Sequence, residues 1–317
     1  MKLFNFYQNL KERINLLKLK YEKSKTLKIL KKSNDEYLRK HPRLAIFAFD
    51  PIGTEISVFG LFVKQELENL RDCVFNKIDV KNSICLDVGA NIGNHTLNFS
   101  EYFKYVYAFE PHPETFQLLK FNARKSKNIK VFEFGLSNIN DELLINHSKY
   151  VAKGNFSLLA DNNLKPIKNS DLCEQFNIKV KKFDDLLESI TEDISFIKLD
   201  VEDYEINVLQ GMSKTLQLKS PIIFFEQYQN QFISNGSVLS SPVIDFLKNN
   251  NYNFFYELSF SRKWRFSSNF FPFLNKFIKI FESIFIGMPK RINKLIYLDK
   301  FEKKDYSGII ASKHKLD

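Results

Sequence analysis

The sequence predicts an α/β domain on a mostly parallel seven-stranded sheet, with an antiparallel last strand and a helical N-terminal extension. Three stretches carry that expectation. Ser83–Asp87 is a short apolar run ending on an acid, followed by Val88-Gly89-Ala90-Asn91-Ile92-Gly93 and then by a helical pattern. That order reads as a buried strand, a tight glycine turn and a helix start. Tyr105–Phe109 is a second apolar run, closed by Glu110 23 residues after Asp87, and Ile194–Leu199 is a third, closed by Asp200. Open α/β sheets bind ligands at the carboxyl ends of their strands. Repeated strand–turn–helix units of this kind make the expected fold Rossmann-like.

A chain of 317 residues can bury one large core, or one core with appendages. An apolar content of 44% and an aromatic content of 15% exclude a disordered chain. The three cysteines, Cys73, Cys85 and Cys173, are scattered and never paired at ligand spacing, so they suit a reducing cytoplasm rather than a disulfide framework or a zinc site. Charges appear too early at the start for a signal peptide, and no uncharged apolar stretch reaches 18 residues. The expected location is therefore cytoplasmic.

The net charge of +10 is unevenly spread. Residues 1–40 hold 12 Lys+Arg against 4 Asp+Glu, and residues 262–317 hold 13 against 5, whereas residues 41–261 hold 22 against 28. An acidic middle and basic ends disfavour a nucleic-acid channel across the site, which needs a basic groove there.

Taken in order, residues 1–40 form a basic extension. Leu3, Phe6, Tyr7, Leu10, Ile14, Leu17 and Tyr21 share one helical face and lysines fill the other. Such a helix reads as binding a membrane surface or a partner, or as packing on its own domain with its lysines solvated. Residues 41–80 precede the core. Arg43–Phe49 and Thr54–Phe59 flank Asp50-Pro51-Ile52-Gly53, the pattern of a hairpin, and a helix is expected from about Phe62 to Phe75. The expected α/β core domain then occupies 81–317.

In the first core unit Gly89 and Gly93 let the backbone turn sharply and approach a ligand with no Cβ in the way. Asn91 stands where a dinucleotide fold expects its second glycine. Glu110, at the end of the second strand, can accept both hydroxyls of a ribose. Pro113 suits the first position of the next helix, whose Phe116, Leu119 and Ala123 face inward. The strings DVGANIG and AFEPHPETFQLLKFN resemble the FkbM family of S-adenosylmethionine-dependent methyltransferases. The resemblance covers roughly residues 80–230 and the final strand.

Asn128–Phe134 is the third strand, running into Gly135-Leu136-Ser137. The resemblance implies that this strand end, with Phe134, lines an adenine. From Asn138 to Asn177 the pattern weakens, but Gly154-Asn155-Phe156-Ser157-Leu158 resembles a loop of the family, which makes Ser157 a candidate site residue. An ordinary turn explains it as readily. In the block Lys198-Leu199-Asp200-Val201-Glu202-Asp203-Tyr204-Glu205, followed by Val208-Leu209-Gln210-Gly211, the family pattern recurs, with Asp203 where the family has glycine. A single helix with Val208, Leu209, Met212 and Leu216 inward should follow.

Pro221–Glu226 is the fifth strand. Acids thus close four of five expected parallel strands, at Asp87, Glu110, Asp200 and Glu226, where about one in four ends would be charged by composition. First-turn carboxylates also stabilise helices by about 0.3–1 kcal/mol each, which accounts for Asp203 and Glu205 but less well for Asp200. Ser241-Pro242 caps a helix; Tyr252–Leu258 and Gly308–Ser312 form a closing antiparallel pair. Between them, about 262–305 is an apolar and basic insertion. It reads as an interfacial segment, a lid, or a helix packed on the core.

The resemblance implies a methyltransferase using S-adenosylmethionine and acting at oxygen on a sugar or other small hydroxylated acceptor, a lipid-linked glycan among them. Asp87, Gly89, Asn91, Gly93, Glu110, Phe134, Ser157 and Asp200 are the expected cofactor residues. Asp200, then Glu202, are the expected general bases. No metal is required; Asp200, Glu202 and Glu226 are the hard oxygen ligands that would hold a divalent cation. His95 and His112 lie near the same edge, where local hydrogen bonding is the simpler reading for each. The rivals are a dinucleotide oxidoreductase, RNA methylation, and a non-catalytic fold serving at a membrane surface or in an assembly.

Overall fold

The computed structural model describes residues 17–18, 20–32, 43–48, 50–148, 173–235, 238–262 and 291–316. The chain divides into two compact units, residues 1–64 and 65–317. In the first unit, 20–32 is helical, and Leu17, Tyr21, Leu27 and Ile29 are exposed. Helix α1 spans Pro51–Phe59. The hairpin expected over 43–59 is therefore not formed. Asp50 caps the helix by accepting from the Gly53 amide at 3.1 Å, Pro51 occupies its first turn, and Gly60 ends it in the left-handed region. Asp-Pro opens turns and helices alike, and here the cap decides.

Helix α2 (Lys64–Cys73) is followed in the second unit by β1 (Ser83–Val88), α3 (Asn94–Phe99), β2 (Tyr105–Phe109), α4 (Pro113–Ala123), β3 (Ile129–Phe132) and β4 (Gly135–Leu136). Strands β5 (Asp141–Ser148), β6 (Cys173–Lys181) and β7 (Asp193–Leu199) lead to helices α5 (Glu205–Gln210) and α6 (Ser213–Lys219). After β8 (Ile222–Gln227) come β9 (Ile233–Asn235), β10 (Val238–Ser240), α7 (Pro242–Asn249), β11 (Phe254–Arg262), β12 (Arg291–Tyr297) and β13 (Tyr306–Ser312).

The main sheet runs β12-β11-β13-β8-β7-β1-β2-β3. Its five strands from β8 to β3 are parallel, and β13, β11 and β12 are antiparallel. All seven expected strands are present. The eighth, β12, comes from the stretch assigned to the insertion, whose segment 270–286 lies outside the described residues. The chain leaves β1 toward β2 and β3 and returns on its other side through β7, which makes the carboxyl ends of β1 and β7 the topological switch point.

Both faces of the sheet are covered. Ile84, Leu86, Val88, Ile197, Leu199, Ile223 and Phe225 pack against Val208, Leu209, Met212, Leu216, Ile244 and Leu247. On the opposite face Phe75, Phe99, Phe103 and Phe196 form edge-on ring pairs with centroids 5.0–5.7 Å apart. Fully burying such a side chain stabilises the fold by about 1.5–3 kcal/mol. The single helix expected after Asp200 is broken into α5 and α6 at Gly211. A Cβ on Gly211 would lie 1.8 Å from the Ser137 carbonyl oxygen, so the helix can pass the loop after β4 only with glycine there.

The stretch with no clear pattern holds a small sheet of order β4-β6-β5. Its strands β5 and β6 pair antiparallel from Asp141–Val180 to Ser148–Cys173. Ile145, Ile178 and Val180 are buried on one side, with Leu143 and Phe176 beside them.

Candidate active site

The chain turns tightly after β1. Gly89, Asn91 and Gly93 all have positive φ, at 77°, 50° and 91°. The amides of Gly89 and Ala90 both donate to the Phe109 carbonyl at 3.0 Å, which ties the turn to the end of β2. A Cβ on Gly89 would sit 1.8 Å from the Asp200 carbonyl oxygen, so the turn also lies directly against the end of β7. Asn91 replaces a glycine at little cost, because Asn is among the residues that best tolerate the left-handed region. Its side chain accepts from the Ile92 amide at 2.7 Å.

Glu110 follows β2 and is 5% exposed. One carboxylate oxygen accepts from the Asn91 amide and the other from the His112 amide, each at 2.9 Å. Burial pushes its pKa up to about 7, against the pull of those two amides. His112 caps α4, and its ring lies 4.5 Å from that of Phe176 on β6, edge to face.

Across the turn, Lys198 and Asp87 are register partners on β7 and β1 and so share a face of the sheet. The Lys198 ammonium lies 3.1 Å from Asp200, 3.3 Å from the Gly89 carbonyl and 3.6 Å from Asp87. Burial alone would lower its pKa, but the charges of Asp200 and Asp87 outweigh burial and raise it. Asp87 is fully buried, and its second oxygen accepts from Thr96 at 2.5 Å.

Beyond Asp200 the chain passes through two consecutive left-handed residues, Glu202 at φ 51° and Asp203 at φ 70°. Asp203 accepts from Gln231, and Glu205 accepts from the Val201 amide at 3.2 Å. Burial, then the charges of Asp200 and Glu226, raise Glu202 to about 7. Burial and Asp200 raise Glu226 to about 7 as well; its carboxylate accepts from the Tyr228 hydroxyl at 2.5 Å.

These elements surround an open-mouthed cavity of about 520 Å³, counting the space at its mouth. Gly89, Asn91, Glu110, Asp200 and Glu202 all line it, together with Pro111, His112 and Val201. Ile145 and Ile178 of the small sheet supply an apolar wall. The other expected residues stand elsewhere. Asp87 lies beneath the turn with Lys198. Gly93 opens α3. Phe134 packs against Phe109 and Phe132, with the Lys181 ammonium 4.9 Å from its ring. Glu226 is engaged by Tyr228, and Ser157 lies outside the described residues. Asp200, Glu202 and Glu226 do not converge as a cation site: among the described residues no three His, Cys, Asp or Glu side chains are so arranged.

Sequence reading missed several of the polar residues here. In the sequence Lys198 is simply one residue inside the apolar run Ile194–Leu199. Glu66 on α2 meets His95 on α3 at 2.9 Å, both largely buried. Burial raises Glu66 to about 8 and lowers His95 to about 4. No spacing in the sequence announces a pair drawn from two separate helices. Ile178, in contrast, belongs to the alternation Phe176, Ile178, Val180, a strand signal that could have been followed.

The sequence profile of the methyltransferase FkbM domain matches residues 87–254, more than half of the chain. The hexuronic acid methyltransferase AglP of Haloferax volcanii is 30% identical over 139 residues, which are 43% of this chain and 53% of that protein. The match therefore spans about half the length of that relative. Among solved structures, a methyltransferase FkbM from Methylobacillus flagellatus aligns at 16% identity over 64% of this chain and 48% of its own, with a TM-score of 0.32. An S-adenosylmethionine-dependent O-methyltransferase from Thermotoga maritima aligns at 12% identity over 81% and 68%, with a TM-score of 0.37. With the glycine turn, Glu110 and the Asp200 block all inside the matched region, the chain belongs to the FkbM methyltransferase family.

Proposed function

We propose that this protein transfers a methyl group from S-adenosylmethionine to a hydroxyl of a sugar or another small hydroxylated acceptor. The observation that carries the reading is the convergence of the glycine turn and Glu110 on one cavity. Each Glu110 oxygen accepts a single backbone amide, so each keeps a lone pair for one hydroxyl of a ribose. Gly89 also lines the cavity, and it does so with backbone alone. The acids around the cavity suit a sulfonium and an ammonium. The sugar acceptor is supported by the relative whose name specifies a hexuronic acid.

When bound, S-adenosylmethionine supplies an electrophilic methyl group, so the protein's work is positioning and proton removal. Glu202 is the residue we assign to take the proton of the acceptor hydroxyl. It lines the cavity, and its pKa of about 7 suits a base working near neutrality. Asp200 is committed to Lys198, and a proton placed on it would break that ion pair. This reverses the order expected from the sequence.

Calorimetry with S-adenosylmethionine, its demethylated product and NAD tests the cofactor. Binding of NAD alone would overturn the assignment. Mass spectrometry of glycans from cells with and without the gene should show a methylated species that is lost on deletion.

A peripheral membrane role is a second reading, favoured by the exposed Leu17, Tyr21 and Leu27 beside a run of lysines. No described helix is long and apolar enough to cross a membrane. Flotation with anionic vesicles should recover the protein at low salt and lose it at high salt; equal behaviour with neutral vesicles would remove this reading.

A further inference from the structure

We propose that Lys198 is a positioning residue that fastens the glycine turn to the strand end carrying Asp200, fixing the separation of two walls of the cavity. The proposal rests on reading that cavity as the methyl-transfer site. Two of the three groups within reach of the ammonium, the Gly89 carbonyl and the Asp200 carboxylate, belong to residues that line it. The third, Asp87, stands directly opposite Lys198 in register on the neighbouring strand. The ammonium therefore spans the crevice between β1 and β7 at the topological switch point, from the buried side.

The simpler alternative is that Lys198 only neutralises the buried Asp87. Two observations weigh against it. Lys198 lies closer to Asp200 and to Gly89 than to Asp87. Asp200 has a side chain 39% exposed and could be solvated without a buried partner. Buried ion pairs are also weak evidence for stability, since apolar residues of similar volume often serve as well. What an ammonium hydrogen-bonded to the Gly89 carbonyl and the Asp200 carboxylate, with Asp87 in ion-pair range at 3.6 Å, does supply is a fixed arrangement of the first two.

His95 supports this role. Glu66 is a further acid close enough to feel Lys198 and Asp200, and it is engaged by His95 at 2.9 Å. One Glu66 oxygen thus goes to His95, whereas the near contacts of the Lys198 ammonium are Asp200, Gly89 and Asp87.

Removing Lys198 alone strands the charge of Asp87, so the test is made in a balanced background. D87N is the reference, because Asn can still accept from Thr96, and D87N/K198M removes the buried cation together with its counter-charge. The readouts are amide hydrogen exchange and calorimetry with S-adenosylhomocysteine. Relative to D87N, exchange at the Gly89 and Ala90 amides should speed by about tenfold or more and affinity should fall by a similar factor. Exchange in the middle of β7 and β8 and the melting temperature should stay unchanged. D200N, which removes the exposed end of the brace, should loosen the same amides by a smaller factor. Turn exchange and affinity equal to those of D87N would overturn the proposal, as would uniform loosening of the whole sheet. If the native protein itself fails to bind S-adenosylhomocysteine, the reading of the site falls, whereas turn exchange still judges the brace.

Discussion

The Asn91 amide and the Glu110 carboxylate meet at 2.9 Å, so the glycine turn after β1 and the acid after β2 hold one another in place. The same carboxylate takes the His112 amide, which orients it toward the cavity from both sides. Replacing Glu110 with Ala should weaken S-adenosylmethionine binding by about 1.5–3 kcal/mol, roughly ten- to a hundredfold in affinity, the worth of hydrogen bonds to a charged group. Circular dichroism should show the fold retained. Unchanged affinity in the folded variant would place the ribose hydroxyls elsewhere.

The titration of Glu110 gives a second test. Burial raises its pKa to about 7, and two hydroxyl donors require the ionised form. Cofactor affinity should therefore climb with pH, by about tenfold between pH 6 and pH 8 for one group titrating midway. The Glu110→Ala variant should lose this dependence. A flat calorimetric profile for the native protein would count against the ribose role.

Stability should move in the opposite direction. Glu66 is raised to about 8, and Glu110, Glu202, Glu205 and Glu226 to about 7, burial being the largest cause in each. A carboxyl group raised above its unfolded value contributes stability that is fully present below about 4.5 and is lost as pH rises through the folded pKa. His95 is lowered to about 4, so its contribution grows with pH but is complete by about 6.5, its unfolded value. Between pH 6.5 and 8 the carboxyl groups act unopposed. The melting temperature should fall across that window in ligand-free protein, and a rise there would show that these acids ionise freely in the fold.

Four of the five parallel strands were legible because each is largely buried and reads as a mainly apolar run with an acid at the ligand edge; β3, at the edge of the sheet, is only partly buried. Asp-Pro-Ile-Gly at 50–53 is ambiguous in sequence because one tetrapeptide satisfies both a turn and a helix cap, and only the cap bond from Gly53 to Asp50 separates them. The small sheet was hidden for a different reason. Strand β5 pairs with β6 across residues 149–172, and Glu142, Leu144, Gln175, Asn177 and Lys179 are exposed between more buried neighbours. Lys198 stood in plain view within an apolar run. That it faces Asp87 is a matter of register between strands more than a hundred residues apart, which no local pattern encodes. Asp203 departs from a glycine in the family pattern, and the structure gives the reason for that glycine: residue 203 has φ 70°. Aspartate can occupy that region, so the turn survives the departure.

The choice between Glu202 and Asp200 as base is open to a sharp test. Glu202 lines the cavity with a pKa near 7, held there by burial and then by the charge of Asp200. Replacing Glu202 with Gln keeps its size and removes the proton acceptor, so turnover should fall by about 10²–10⁴-fold. Affinity for S-adenosylhomocysteine should change little. Asp200→Asn removes a negative neighbour, and an acid relieved of a like charge ionises more easily. The acidic limb of the kcat profile, expected near pH 7 in the native enzyme, should then move to lower pH in that variant while much of the activity persists. The opposite pattern, with D200N inactive at every pH and E202Q nearly native, would return the role of base to Asp200. Glu202 would then be left as one of the acids that set the field of the site.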